Sequence, residues 1–201
     1  MQILEIPSQG EVFPLQDGQI RYFKNFYSKQ QANYLFAKLE KDIEWQQDPI
    51  TVYGKTYLQP RLTALYAHNN KPYSYSGITM HPKAFTPELT NIQKAIETIT
   101  KARFTTVLLN LYRDGQDSNG WHADDEKELG LNPVIASVSL GTPRYFHLKH
   151  KTQKKKRFKI LLEHGSLLLM EGAMQHHWHH QIAKTKKPLG PRINLTFRKI
   201  I

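Results

Sequence analysis

From residue 104 onward the chain is interrupted too often to hold long helices. Segments 104–112, 135–140, 145–149, 158–162, 166–170, 179–183 and 192–199 each read as a short strand. Turn signals separate them: Asp114-Gly115, Gly141-Thr142-Pro143, His164-Gly165 and Gly190-Pro191. Many short strands at even spacing predict a β-sandwich or barrel, mainly β, with helices packed outside it.

Two helices are predicted upstream. Ser28-Lys29-Gln30-Gln31 has the form of a capping box, and Ala32, Leu35, Phe36, Leu39 and Ile43 follow at helical spacing, giving a helix over 29–43. A second begins near Pro87, a residue suited to the first helical position, and carries Leu89, Ile92, Ile96 and Ile99 on one face. Residues 49–66 read as extended, with Tyr53-Gly54-Lys55 as a hairpin tip, and 66–80 as a tyrosine-rich loop. The first 27 residues read as an irregular lead with short strands such as 19–23. No internal repeat or long linker interrupts the 201 residues, and a 39% hydrophobic content permits one packed core.

Composition excludes several chemistries. With no cysteine, the chain has no disulfide, thiolate metal site or cysteine nucleophile, which is compatible with a reducing compartment. No apolar run approaches the roughly 20 residues of a membrane helix. The N-terminus lacks a charged segment followed by an apolar one, so no secretory signal or membrane partner is expected. Twenty-eight basic residues against 17 acidic give a net charge of +11, a field that favours a polyanion.

The most informative local feature is Trp121-His122-Ala123-Asp124. On an extended segment, residues two apart point the same way, so His122 and Asp124 offer an imidazole and a carboxylate together. A second histidine from a distant strand would complete a two-histidine, one-carboxylate face, which suits non-haem iron(II). The run His176-His177-Trp178-His179-His180 supplies candidates, with His180 on or entering a strand. Further on, Arg192 and Arg198 share one face of a strand, and a guanidinium fork can bind a dicarboxylate bidentately. Asn110 and Tyr112 share another strand face and add polar groups.

This combination resembles the AlkB family of iron(II)/2-oxoglutarate dioxygenases, in particular the animal-type homologues that repair alkylated DNA. The resemblance rests on Asn110-Leu111-Tyr112, His122-x-Asp124, His180 and Arg192-x-Asn194-x-Thr196-Phe197-Arg198. Pro60-Arg61, Ile135-Ala136-Ser137-Val138-Ser139 and His164-Gly165-Ser166-Leu167 extend it from about residue 50 to the end; the first 48 residues are not matched. It implies a double-stranded β-helix (jelly roll) over 104–201, a nucleotide-recognition lid, hairpin finger and supporting helix over 49–103, and an N-terminal extension and helix over 1–48. It selects His180 as the distal ligand, so that His122, Asp124 and His180 hold iron(II) and form the catalytic centre. It gives the cosubstrate 2-oxoglutarate to Arg192 and Tyr112 at its far carboxylate, and to Arg198 and Asn110 near the metal. Asn194 and Thr196 line the pocket, and O2 is the co-reactant. Where the family often has proline three residues after the distal ligand, Ala183 stands here.

The same resemblance implies a demethylase of bases such as 1-methyladenine and 3-methylcytosine in DNA, hydroxylating the alkyl carbon with aldehyde release. A base within a duplex must be flipped out to be reached. Tyr73, Tyr75 and Ser76 resemble the aromatic lid, with Tyr75 stacking on the base. Asp125 faces the base edge, and Arg61 accompanies the lid. Val52, Tyr53, Gly54 and Lys55 resemble a finger that wedges into the gap left by a flipped base. Lys184, Lys186 and Lys187 fall on the family's DNA-gripping loop, with Thr185 where the family has an arginine. The acid-free basic run 149–159 is a candidate for phosphate contacts. A monomer acting on double-stranded DNA, in the cytoplasm or a eukaryotic nucleus, is the expectation. The alternatives are a dioxygenase of this fold acting on RNA or protein, and a non-catalytic nucleic-acid binder.

Overall fold

The computed structural model describes residues 1–52, 54–69, 73–75 and 78–200. In chain order the N-terminal part contains β1 (Gln2–Ile3), β2 (Gln9–Leu15), β3 (Gly18–Phe23), α1 (Lys29–Asp42), β4 (Pro49–Val52), β5 (Lys55–Leu58), β6 (Leu62–Ala67), β7 (Tyr73–Tyr75), β8 (Ile78–Met80) and α2 (Pro87–Thr100). The C-terminal part contains β9 (Thr106–Tyr112), β10 (Asn119–His122), β11 (Ile135–Gly141), β12 (Arg144–His150), β13 (Arg157–Leu162), β14 (Ser166–Glu171), a short α3 (Met174–His177), β15 (Trp178–Ile182) and β16 (Arg192–Arg198).

The helices begin where the sequence predicts. The Ser28 hydroxyl accepts from the Gln31 backbone N–H at 3.3 Å, and the Gln31 side chain accepts from the Ser28 N–H at 3.0 Å, closing both arms of the capping box. Thr86 caps α2 through the Leu89 N–H, with Pro87 in the first turn, where its missing N–H costs nothing. The reading of 66–80 as a loop is corrected: β6 runs to Ala67, and β7 pairs with β8 in a small antiparallel ribbon. The expected hairpin forms between β4 and β5, with Val52 opposite Lys55 and Gly54 at φ +74°, a conformation glycine adopts without strain.

Two sheets face each other. A seven-stranded sheet has the order β2-β3-β14-β11-β16-β9-β6, and a five-stranded sheet has the order β1-β13-β12-β15-β10. The lead joins both: β2 and β3 extend the larger sheet, and β1 pairs in parallel with β13 at the edge of the smaller one. The sandwich therefore draws strands from well before residue 104.

The burial pattern of each strand follows from what covers it. One apolar layer fills the space between the sheets, including Ile20, Leu108, Phe146, Leu148, Trp178 and Ile182. A second layer joins the outside of the larger sheet to the helices, through Leu39, Leu89, Ile92, Ile96, Leu109, Val138, Leu195 and Phe197. Strands β9 and β16 are therefore buried at every residue, whereas β12, covered on one side, alternates buried and half-buried positions. On β16 the helix-facing residues are Ile193, Leu195 and Phe197. The residues facing the sandwich interior are Arg192, Asn194, Thr196 and Arg198. Polar side chains on a buried face contradict the hydrophobic pattern of the strand, and such a contradiction marks a functional site.

Candidate active site

A pocket of about 480 Å³, part of it open to solvent, lies between the sheets. Its walls bring together Asn110 and Tyr112 from β9, His122 from β10, Asp124 just beyond it, His180 from β15, and the four polar residues of β16. Strand pairing sets His122 directly opposite His180. One ligand atom from each of His122, Asp124 and His180 lies within 4.8 Å of the others.

The protonation states suit a metal. His122 Nδ1 lies 2.8 Å from the Gly120 carbonyl oxygen. A carbonyl can only accept, so Nδ1 carries the proton and Nε2 keeps a lone pair. Burial lowers the His122 pKa, and burial together with the neighbouring His122 ring lowers that of His180 further, so both rings are neutral at physiological pH. Burial alone would raise the Asp124 carboxyl, but the charge of Arg198 and its hydrogen bond hold it at about 2. Asp124 Oδ1 accepts from Arg198 Nη2 at 2.7 Å, while Oδ2 is buried with no hydrogen-bond partner among the described residues. An anionic oxygen left so in the interior is stable only if a cation meets it.

A second cluster, Asp17, His150 and His177, also lies within 4.8 Å, but its histidine chemistry is the reverse. His150 Nδ1 accepts from the backbone N–H groups of Thr152 and Gln153 at 3.3 and 3.1 Å. Its proton must then sit on Nε2, which donates to Asp17 Oδ2 at 3.0 Å and has no lone pair for a metal. This trio fastens the β2–β3 turn to the smaller sheet. The remaining histidines are placed elsewhere: the His176 ring accepts from the Asn132 N–H, and His179 points to the opposite side of β15 from His180.

Arg192 is the second anomaly of the pocket. Its Nη2 donates to Ser139 Oγ at 2.8 Å, and its guanidinium carbon stands 5.3 Å from the centre of the Tyr112 ring. Nε and Nη1 are buried with no hydrogen-bond partner among the described residues. Burial lowers its pKa from 12.5 to about 10. A buried guanidinium with unused donors fits a carboxylate that would accept from it.

Sequence reasoning did not find the residues that hold these groups. Gln175, fully buried in α3, accepts from the Asp124 N–H at 3.0 Å. Nothing in its local sequence signals that role, because Gln175 and Asp124 are 51 positions apart. Arg144 donates to the carbonyls of Asp114, Asp117 and Ala183, tying together the loops at one end of the pocket. Ser137 and Ser139 stand opposite Thr196 and Asn194. Their polar alternation in β11 matches that of β16 and was legible.

The other residues singled out in the sequence are placed as follows. Arg61 is buried and donates to Asn110 Oδ1 at 2.7 Å and to the Ser118 carbonyl, so its guanidinium braces the pocket wall. Thr196 donates to Asn194 Oδ1, and Asn194 donates to Ser137 Oγ. Asp125 is exposed and accepts from Lys151 at 2.8 Å. Gly54, Lys55, Lys186 and Lys187 are exposed. Tyr53 and Ser76 lie outside the described residues, as do the side chains of Val52, Tyr73 and Tyr75.

Residues 19–198 match the family model of the 2OG-Fe(II) oxygenase superfamily. The chain is 39% identical to human DNA oxidative demethylase ALKBH2 over 185 residues, covering 87% of this chain and 71% of that protein. The chain belongs to the AlkB family of 2OG-Fe(II) oxygenases. It is likewise 40% identical to the bovine DNA oxidative demethylase ALKBH2 and 41% identical to mouse alpha-ketoglutarate-dependent dioxygenase alkB homolog 3. These alignments cover 87% and 89% of this AlkB-family chain, which spans 66% and 65% of those two relatives. The solved structure of OsALKBH1 superposes with a TM-score of 0.68 at 16% identity over 94% of this chain and all of that one, which establishes the shared jelly-roll fold. As an AlkB-family centre, the pocket's donor set fits iron(II), and the Arg192 donors that have no hydrogen-bond partner among the described residues fit 2-oxoglutarate. Among the described residues no helix is long and apolar enough to cross a membrane.

Proposed function

We propose that this chain is an iron(II)- and 2-oxoglutarate-dependent dioxygenase that removes alkyl groups from N-alkylated bases in DNA. The observation that carries the reading is the pairing, in one pocket, of an Asp124 carboxylate oxygen and Arg192 guanidinium donors that have no hydrogen-bond partner among the described residues. The first calls for a cation and the second for an anion. Iron(II) and the far carboxylate of 2-oxoglutarate answer both.

His122, Asp124 and His180 would hold the metal through His122 Nε2, Asp124 Oδ2 and the His180 ring. Because both rings are neutral and the carboxyl ionised, binding releases no proton from these ligands. Arg198 fixes the carboxylate rotamer through Oδ1, and Gln175 fixes the backbone behind it. Arg192, steadied by Ser139 and Tyr112, would take the far carboxylate of the cosubstrate, with Asn110, Asn194 and Thr196 lining the space between. Bound iron(II), 2-oxoglutarate and O2 supply the oxidising chemistry that hydroxylates an N-alkyl carbon, which then leaves as an aldehyde. Phe146 stacks on the His180 ring, 5.1 Å between ring centres, and holds that ring in place.

The names of the relatives support DNA as the polymer, and a net charge of +11 favours a polyanion. The β4–β5 hairpin presents exposed Gly54, Lys55 and Tyr57, a shape suited to probing a duplex beside a flipped base. We take double-stranded DNA, a flipped base and a monomeric enzyme as the working picture. In it Tyr75 stacks on the base, Asp125 meets its edge, and Tyr53 leads the finger. Lys186 and Lys187 grip phosphates.

The test is formaldehyde release from a duplex carrying one 1-methyladenine, with iron(II), ascorbate and 2-oxoglutarate, beside Asp124→Ala. Release that requires 2-oxoglutarate and is lost in the variant is expected. No release from duplex or single-stranded DNA by protein with metal bound would defeat the DNA reading. Activity on the same lesion in RNA would then redirect it.

A further inference from the structure

The smaller sheet has two faces, and the active site uses one. Alternation along β12, β13 and β15 sends Phe146, Leu148, Ile160 and His180 inward and leaves Tyr145, His147, Lys149, Lys159, Leu161 and Gln181 on the outside. Register brings these into rows: Tyr145 opposite Leu161, His147 between Lys159 and Gln181, and Lys149 between Arg157 and His179. None of these residues is acidic.

The face has a regular construction. Lys149 Nζ stands 4.4 Å over the centre of the Trp121 ring, and Lys159 Nζ stands 4.4 Å over that of Tyr145. Each ring holds an ammonium group at a fixed height above the sheet by cation–π attraction. Between these posts the His147 ring lies 6.5 Å from Trp121, its Nδ1 in contact with the Gln181 amide at 3.3 Å. Beside the face, a cleft of about 670 Å³, open in part to solvent, is lined by Tyr145, His147 and Leu161 and by Lys184 and Lys187 of the 183–189 loop. Aromatic rings and cationic side chains thus line the same cleft.

We propose that this outer face and its cleft form a second nucleic-acid site, which binds a single-stranded segment lying outside the nucleotide held in the active pocket. A base that takes the place of a lysine on one of these rings leaves that ammonium group beside the strand for a phosphate, which matches a strand whose bases stack and whose phosphates pair with cations. A folded acidic protein would leave the stacking faces unused. An anionic bilayer would need a cluster of projecting apolar groups, and among the described residues of this face only Leu161, 37% exposed, and Ile3, 52% exposed on the edge strand opposite Lys159, approach that description. The sheet lies between this site and the pocket, so one nucleotide cannot fill both; a longer strand or a second segment must. The proposal deepens the nucleic-acid reading above and rests on it for the identity of the polymer.

Tyr145→Ser and Leu161→Glu test it, one removing a stacking ring and the other placing a negative charge on a different strand. Neither residue lines the active pocket. Binding of a fluorescent, unmodified 20-nucleotide single strand to the metal-loaded full chain is followed by anisotropy across a salt series. Turnover is measured on a lesion-bearing trinucleotide and on the same lesion within the 20-mer. Each variant should weaken 20-mer binding by about fivefold or more. KM on the 20-mer should rise to match, with kcat unchanged and the trinucleotide unaffected. Unchanged 20-mer binding by both variants, with melting temperatures as in the wild type, would overturn the site. So would an equal loss on the trinucleotide, which would place the effect in the active pocket. Loss of binding to phosphatidylserine vesicles with oligonucleotide binding retained would overturn it in favour of a membrane surface. If the wild type released no aldehyde from any alkylated strand yet the variants still bound the 20-mer more weakly, the repair reading would fall and this surface would stand.

Discussion

Replacing Arg192 with methionine should make the cosubstrate-free protein more stable and blind to 2-oxoglutarate. The guanidinium is 1% exposed, and its pKa falls from 12.5 to about 10. At about 1.36 kcal/mol per unit, the charged form carries a penalty of about 3 kcal/mol. For a base whose folded pKa is lowered, the unfolded chain binds more protons between the two values. Stability therefore rises only as pH climbs from about 10 towards 12.5, and the whole penalty is present at pH 7.5. Methionine removes it at similar volume. The loss is the bond to Ser139 Oγ, about 1 kcal/mol. The net gain of about 2 kcal/mol should raise Tm by about 4–8 °C for a chain of this length. Differential scanning fluorimetry with Mn(II), with and without 2-oxoglutarate, reads both effects. At a hundredfold excess over Kd the wild type should gain about 2.7 kcal/mol from the ligand, and Arg192→Met nothing. A variant less stable than the wild type without ligand, or one that gains as much from it, would refute the view that Arg192 is held charged and undersatisfied for a carboxylate.

Three further outcomes follow from the same structure. Gln175→Leu removes the acceptor for the Asp124 N–H and should weaken Mn(II) or Co(II) binding by about 10- to 100-fold, with circular dichroism unchanged; wild-type affinity in a metal titration would show that Gln175 does not position the ligand. Metal stoichiometry should be one per chain, lost in His122→Ala and kept in His177→Ala; two ions in the wild type would contradict the tautomer assigned to His150. Burial raises the Asp117 carboxyl, but hydrogen bonds from the Arg113 side chain and N–H bring it below its ordinary value. A depressed carboxylate stabilises above its unfolded pKa and loses that contribution as pH falls through the folded one, so Asp117→Asn should cost about 1–2 kcal/mol in urea melts at pH 7 and less in acid below the ordinary carboxylate range. An equal cost in both conditions would assign the loss to packing.

Much of this protein was legible before any coordinate. Turn residues and short apolar runs set the strands, and the capping box and Pro87 set the helix starts, because those signals act within a few residues. His122-x-Asp124 and the Arg192–Arg198 spacing were legible for the same reason: a strand's two-residue period puts each pair on one face whatever lies around it. The lead was not readable as part of both sheets, since pairing β3 with β14 joins residues about 150 apart and leaves no local trace. Choosing among the histidines of 176–180 also exceeded local information; the family resemblance selected His180, and the register opposite His122 together with the pocket's burial shows the arrangement physically. The same holds for Gln175 behind Asp124 and for the division of the smaller sheet into a face on the pocket and a basic aromatic face. Sequence determined which groups alternate along each strand. Only tertiary packing decided which side of the strand became interior, because burial, desolvation and the partners a charge finds are properties of what lies across the sheet.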